Sequence, residues 1–471
     1  MTVEAVSLRQ KNPVQEEDVE EELGEIKLYK IRWVIIGIFV LYAAVSAVQW
    51  VQYSIITNII VRYYGVTPVA VDWTSMISMI TYPPLLLPGS YMIDRIGLRS
   101  CALIGVVGTA VGTWIKMFSV QPHLFMLGFA GQTVVFVSQI FILSLPPKVA
   151  SVWFGPNEVS TACSLGVFGT QLGTALSFIL PPLIVRNHDN IDDIGKDLSY
   201  LFYGVGAVIT PVVILVFIFF KSEPPLPPSI AQAKLRLNRS EFSNKEFLNS
   251  YKSLLTNMPF MVLSFAYGMN IGVFAAVCTL LNQFILTYFP NSEKDAGTIG
   301  LLLVVIGMLG VVVFGVILDK TKKFKEVAIA LEVAIALYVM TTIGLIAFMI
   351  ALETYSKVLV YISACVLGFF QNAYYAVGIE FGVELSFPQP ESTSSGLLLA
   401  VMQICGVIYT LLLGECLSRF GAFWALSLMV IFLGIGTLIT IFIPNILLRQ
   451  EALGLTAEKN AFLPKNKNRR H

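Results

Sequence analysis

Twelve stretches of this chain are apolar and long enough to cross a lipid bilayer, a crossing that takes about 20 residues of helix. They run at 33–61, 70–93, 100–120, 123–147, 160–186, 198–220, 259–288, 297–318, 327–351, 357–384, 394–416 and 421–448. Hydrocarbon offers no water to the backbone, so each stretch has to satisfy its own N–H and C=O groups, and the helix does this. The fold class is therefore an all-α membrane protein with twelve transmembrane helices. Its composition agrees, at 56% hydrophobic and 13% charged, where soluble domains carry about 25% charge. The 31 basic residues are matched by 30 acidic ones, which leaves no basic surplus for nucleic acid.

Six stretches precede the longest polar break and six follow it. The break, 221–258, opens with Pro224, Pro225, Pro227 and Pro228 and continues through Lys234, Arg236, Arg239, Lys245 and Lys252. It divides the chain into a tail (1–32), a six-helix half (33–220), a linker (221–258), a second six-helix half (259–448) and a second tail (449–471). The linker's basic part reads either as a surface amphipathic helix or as a solvated loop. With both termini in the cytosol, 24 Lys and Arg fall inside and seven outside, the outer set being Arg62, Lys116, Arg186, Lys196, Lys294, Lys357 and Arg419. That bias fixes the orientation. The acid-rich first tail lacks the pattern of a signal peptide and reads as a disordered cytosolic segment. The six cysteines all lie in or beside apolar stretches, so no disulfide framework is implied.

Between the second and third stretches stands Gly89-Ser90-Tyr91-Met92-Ile93-Asp94-Arg95-Ile96-Gly97-Leu98-Arg99, and after the eighth the theme returns as Gly315-Val316-Ile317-Leu318-Asp319-Lys320. The two aspartates are 225 residues apart, about half the chain, as a duplicated six-helix unit requires. The pair resembles the G-x-x-x-D-[RK]-x-G-[RK] loop of the major facilitator superfamily. That resemblance implies two pseudo-symmetric halves that rock against each other, with Asp94, Arg95, Arg99 and Asp319 forming a gating lock at the cytosolic face.

A second resemblance is closer. The loop Pro146-Pro147-Lys148, continuing through Trp153-Phe154-Gly155-Pro156-Asn157-Glu158, is similar to that of the feline leukaemia virus subgroup C receptor family of transporters. So are Gln49-Trp50-Val51-Gln52-Tyr53-Ser54, Thr279-Leu280-Leu281-Asn282-Gln283, Glu380-Phe381-Gly382-Val383-Glu384 and Thr393-Ser394-Ser395-Gly396. The resemblance implies a multi-pass carrier of the plasma membrane or an organelle, with choline and ethanolamine as substrates and haem as the contested alternative. It also implies an aromatic box for the ammonium group, in which Trp50 matches a wall and Gln171 and Gln403 match polar supports. Another family wall is a tyrosine directly after a phenylalanine in the seventh span, and here the pair is Phe274-Ala275. Tyr374 matches a family tyrosine, and Phe274 and Tyr267 are the nearest substitutes for the missing ring.

The residues point the same way on their own. A quaternary ammonium has no proton to donate, so it is recognised by the negative faces of aromatic rings, of which tryptophan's is best. At helical spacing, Trp50, Tyr53 and Thr57 share a face; the alternative for Trp50 is helix packing or an interfacial belt. Gln132, Gln139, Gln171, Asn270, Asn282, Gln283, Gln371, Asn372 and Gln403 add neutral polar groups inside the spans, as substrate ligands or as contacts between helices. Glu380 and Glu384, near the cytosolic end of the tenth span, attract a cation, relay protons, lock the gate or form a structural ion pair. No Lys or His is expected inside a span.

Haem would call for axial ligands, yet His123 and His188 fall at outer span ends or loops and His471 at the terminus. No P-loop, Cys-His pair or Ser-His-Asp set gathers at one depth, so enzyme activity is not expected. The expectation is a monomeric transporter without cofactor or metal, partnered by a small amine and the bilayer. A haem exporter and a non-transporting receptor of the same fold are the alternatives.

Overall fold

The computed structural model describes residues 26–155, 158–229, 232, 244–322 and 329–443. The side chains of Asp94 and Asp319, both tails apart from 26–32, and the linker basics Lys234, Arg236 and Arg239 lie outside the described residues. Fifteen α-helices occur among the described residues: α1 (Ile31–Ala47), α2 (Thr57–Tyr64), α3 (Pro68–Ile96), α4 (Leu98–Met117), α5 (Phe125–Ser144), α6 (Pro146–Trp153), α7 (Val159–Ile184), α8 (Ile191–Phe219), α9 (Asn244–Thr256), α10 (Met258–Tyr288), α11 (Glu293–Lys322), α12 (Ile329–Glu353), α13 (Lys357–Ser386), α14 (Glu391–Phe420) and α15 (Ala422–Ile441). Helix α9 lies within the linker stretch.

Ten helices among the described residues are long and apolar enough to cross a membrane, against the twelve expected. The difference has two causes. The first apolar stretch is broken, so that α1 alone is too short to count. Helix α3 carries Asp72, Arg95 and the prolines Pro83, Pro84 and Pro88, which dilute its apolar content.

Long helices pack side by side through small residues, because lipid supplies no hydrophobic drive and close backbone approach supplies the contact instead. A Cβ at Gly173 of α7 would come within 2.2 Å of the Ala44 carbonyl oxygen on α1, and one at Gly368 of α13 within 2.3 Å of the Leu303 carbonyl oxygen on α11. Two further pairings, α3 with α14 and α7 with α11, join helices from before the linker to helices after it. Helix α10 is the most enclosed of the ten. Its buried side chains extend from Phe260 to Ile285.

The break in the first stretch sits where the sequence reading continues a helix. α1 ends at Ala47, a 3-10 turn covers Ser54–Ile56, and α2 resumes at Thr57 before stopping at Gly65, whose φ of +64° suits glycine. No proline or glycine lies in 48–53. The cause is an inserted side chain: Gln132 of α5 donates from Nε2 to the Gln49 carbonyl at 2.7 Å, occupying the acceptor that a continued helix would give to the Tyr53 N–H.

Candidate functional site: a neutral aromatic cavity between the halves

A cavity of about 180 Å³ lies between helices that precede and follow the 221–258 stretch. Trp50, Gln171, Phe274, Ala275 and Gln403 line it together, and so do Gln139, Gln371 and Asn372. The lining residues that were not singled out from the sequence include Tyr82, Phe136, Tyr375 and Met402. Among the described residues, none that lines the cavity carries a charge. Trp50, Phe136, Phe274, Tyr82 and Tyr375 give it ring faces, while Gln171 and Gln403 give it neutral donors and acceptors. Gln371 is committed in part, donating from Nε2 to Asn270 Oδ1 at 2.6 Å and to the Asn270 carbonyl at 3.0 Å.

Two expected site residues lie elsewhere. The helical register that grouped Trp50 with Tyr53 and Thr57 does not exist across the break, so Tyr53 turns into the core, 2% exposed, with its ring 5.7 Å from Phe202. Tyr374 is fully buried between Tyr267 and Tyr338, with ring centroids 6.0 and 5.0 Å away. One residue further round α13, Tyr375 reaches the cavity instead. The helical rotation of about 100° per residue makes that difference, and the sequence alone could not say which tyrosine of the pair faced inward.

The break that carries Trp50 rests on polar groups from four other helices. Gln49 donates to Thr113 Oγ1 of α4 at 3.1 Å, and Gln132 donates to the Thr74 carbonyl of α3 at 3.3 Å as well as to Gln49. Ser54 and Ser75 share a hydrogen bond of 2.8 Å, and Asn282 of α10 donates to the Ile55 carbonyl at 2.8 Å. Irregular backbone at this depth persists because protein groups satisfy it. Lys116, counted by charge among the outer loops, sits inside α4 at 2% exposure and donates to the side-chain oxygens of Gln49 and Gln132. The expectation of no lysine inside a span is thus overturned; a residue four positions before the end of the 100–120 stretch looks solvated by position, and packing encloses it.

Polar contacts join helices before the 221–258 stretch to helices after it, at the end where α2 meets α10 and α11. Glu293 Oε1 accepts from Asn58 Nδ2 at 2.7 Å and from Asn187 Nδ2 at 3.3 Å, and Gln283 Nε2 donates to Asp72 Oδ1 at 2.8 Å. Asp72 is 3% exposed. Neither acid was singled out from the sequence. At the opposite end, Arg99 donates to the Phe217 carbonyl at 3.0 Å and Arg95 lies 5.5 Å over the Tyr91 ring, contacts made among residues that precede the 221–258 stretch. A bidentate pair joins Arg32 to Glu158 there, at 3.1 and 3.2 Å. Glu384 is buried and Glu380 exposed. His123 is exposed and His188 bonds Asp197 at 2.9 Å, while His471 lies outside the described residues. Among the described residues, no histidine lines the cavity.

Comparison with known proteins places these features in context. The model described as Major Facilitator Superfamily matches residues 38–385. The chain is 43% identical over 428 residues to the choline/ethanolamine transporter flvcr2b of Danio rerio, covering 91% of this chain and 87% of that protein. It is 45% identical over 433 residues to an uncharacterized MFS-type transporter, C09D4.1, of Caenorhabditis elegans, covering 92% and 72%. Among solved structures, a bacterial homologue of the human lysosomal transporter Spinster, inward-facing and unoccupied, superposes with a TM-score of 0.67 at 12% identity, covering 90% of this chain and 99% of that one.

Proposed function

The chain belongs to the major facilitator superfamily and, within it, to the choline/ethanolamine transporter family, and from that membership we propose that it carries choline, ethanolamine or amines of that class by alternating access. It is a multi-pass membrane transporter and not an enzyme. The observation that carries the substrate reading is the cavity itself, with aromatic rings and neutral amides along its wall and, among the described residues, no charged side chain lining it. A fixed ammonium there is held by cation–π attraction, worth about 2 kcal/mol or more in a dry site. Trp50 is the principal face, Phe274 and Tyr375 stand near the wall that Ala275 leaves short, and Gln171 and Gln403 meet the hydroxyl.

Twelve crossings complete this reading, the first made jointly by α1, the 3-10 turn and α2, and the second by α3. They form two six-helix halves, 33–220 and 259–448, with the tails and linker cytosolic by charge bias, in a monomer of the plasma membrane. The contacts of Glu293 and Asp72 then close the outer side, and Asp94, Arg95, Arg99 and Asp319, with Glu380 and Glu384, form the cytosolic lock. Among the described residues no histidine lines the cavity, so haem held through a histidine is not the reading it favours.

Thermal unfolding of the purified protein with choline, ethanolamine or haem tests the substrate. A ligand at 100 times its Kd stabilises the folded state by about 2.7 kcal/mol, so the amines should raise the midpoint. A shift with haem alone would overturn the amine reading.

A further inference from the structure

We propose that Lys116 is a positioning residue for transport, whose buried ammonium orients the two glutamines that hold the break in the first span and so sets Trp50 against the cavity. The inference rests on the aromatic-cavity reading of Trp50. Lys116 itself does not line the cavity, and neither gate nor substrate contact accounts for a lysine 2% exposed within α4.

A lysine ammonium offers three donors and no acceptor, so any amide beside it must present oxygen. Lys116 Nζ contacts Gln132 Oε1 at 2.8 Å and also Gln49 Oε1. With both oxygens fixed, both NH₂ groups must point away from the lysine. Gln132 Nε2 then faces the backbone, donating to the Gln49 carbonyl at 2.7 Å and the Thr74 carbonyl at 3.3 Å. Gln49 Nε2 likewise donates to the Val45 carbonyl at 3.3 Å and to Thr113 Oγ1 at 3.1 Å, and Gln52 Nε2 reaches Gln132 Oε1 at 3.4 Å.

The Gln49 carbonyl is the group freed by the break, and Trp50 is the next residue. Without the ammonium, the Gln132 amide is held in that sense only by the long bond from Gln52 at 3.4 Å and by the two carbonyls themselves. A flipped amide would set oxygen against oxygen, and the carbonyl would return to the helical bond with Tyr53. Trp50 would rotate with it. A buried lysine thus supplies direction through two amides, a role that needs its donors and its fixed place on α4 and requires no contact with substrate.

The test is a double-mutant cycle in radiolabelled choline uptake at matched surface levels, with Lys116→Met, Trp50→Phe and the pair. Phenylalanine keeps a weaker cation face, so uptake stays measurable. Lys116→Met should raise KM about tenfold while Vmax stays within twofold, and on the Trp50→Phe background it should add less than twofold. A lysine that merely supported folding would lower the surface level or multiply its effect on that of Trp50→Phe. An unchanged KM in Lys116→Met, or a full multiplication in the pair, would overturn the positioning role. Should Lys116→Met fail to reach the surface, Gln132→Leu removes the same link and is judged by the same criteria. An unchanged KM in Trp50→Phe would overturn the aromatic reading itself, and the positioning role with it.

Discussion

Removing the Glu293 carboxylate should open the cavity to the outside. The carboxylate accepts from Asn58 at 2.7 Å and from Asn187 at 3.3 Å, and it is only 9% exposed, so both bonds are made away from bulk water. When the seam parts, water replaces the amides, and roughly 1 kcal/mol per bond is left as the difference between closed and open forms. Two bonds then give about 2 kcal/mol, or a shift of about thirtyfold in the closed-to-open ratio. Ser78 lines the cavity. A cysteine at that position, with the six native cysteines replaced, reports the open fraction through its rate of labelling by a membrane-impermeant thiol reagent added outside. Glu293→Ala should raise that rate at least tenfold. Glu293→Gln keeps an amide oxygen for the asparagines and should raise it less. Equal labelling rates in the parent and Glu293→Ala would refute the reasoning, because the contacts would then be no tighter in one state than in the other.

Other substitutions probe the cavity, the packing and the opposite gate. Trp50→Ala should lower choline uptake at subsaturating concentration about tenfold or more, from the roughly 2 kcal/mol of a desolvated cation–π contact, read as initial rate at matched surface expression. Ala275→Tyr adds a ring to the wall beside Phe274 and should lower the choline KM severalfold in the same assay; a raised KM would mean that the ring fills the site. Gly173→Val places side-chain atoms where the Ala44 carbonyl oxygen lies 2.2 Å from a Cβ, and overpacking of this kind costs about 1–3 kcal/mol, so the apparent unfolding midpoint in detergent should fall. Asp94→Asn should change the ratio of inward to outward accessibility and slow turnover with expression nearly intact, measured by the same thiol labelling and by uptake.

The sequence by itself determined what the bilayer dictates. Apolar runs of more than 20 residues have one way to satisfy their backbones in hydrocarbon, so an all-α multi-pass fold was legible from hydropathy, and the blocks around Trp50, Pro146 and Glu380 pointed to the family that 43% identity to a zebrafish choline/ethanolamine transporter establishes. Trp50, Gln171 and Gln403, which the cavity brings together, were named because they match family positions one by one, and Phe274 as a substitute for the missing ring. What only the tertiary structure decided are the properties that depend on partners distant in sequence. Gln132, 83 residues from Gln49, takes the carbonyl that would have continued the first helix, and so Tyr53 leaves the face it was expected to share with Trp50. A rotation of about 100° makes Tyr375 a wall and Tyr374 a core residue, a difference of one position that periodicity cannot assign without knowing which side faces the seam. Lys116 and Asp72 look like ordinary charges near the ends of spans; they become buried because the oxygens of Gln49 and Gln132 and the amide of Gln283 are brought to them by packing. Hydropathy is a property of each residue and its near neighbours, whereas the partner of a buried polar group is a property of the whole fold.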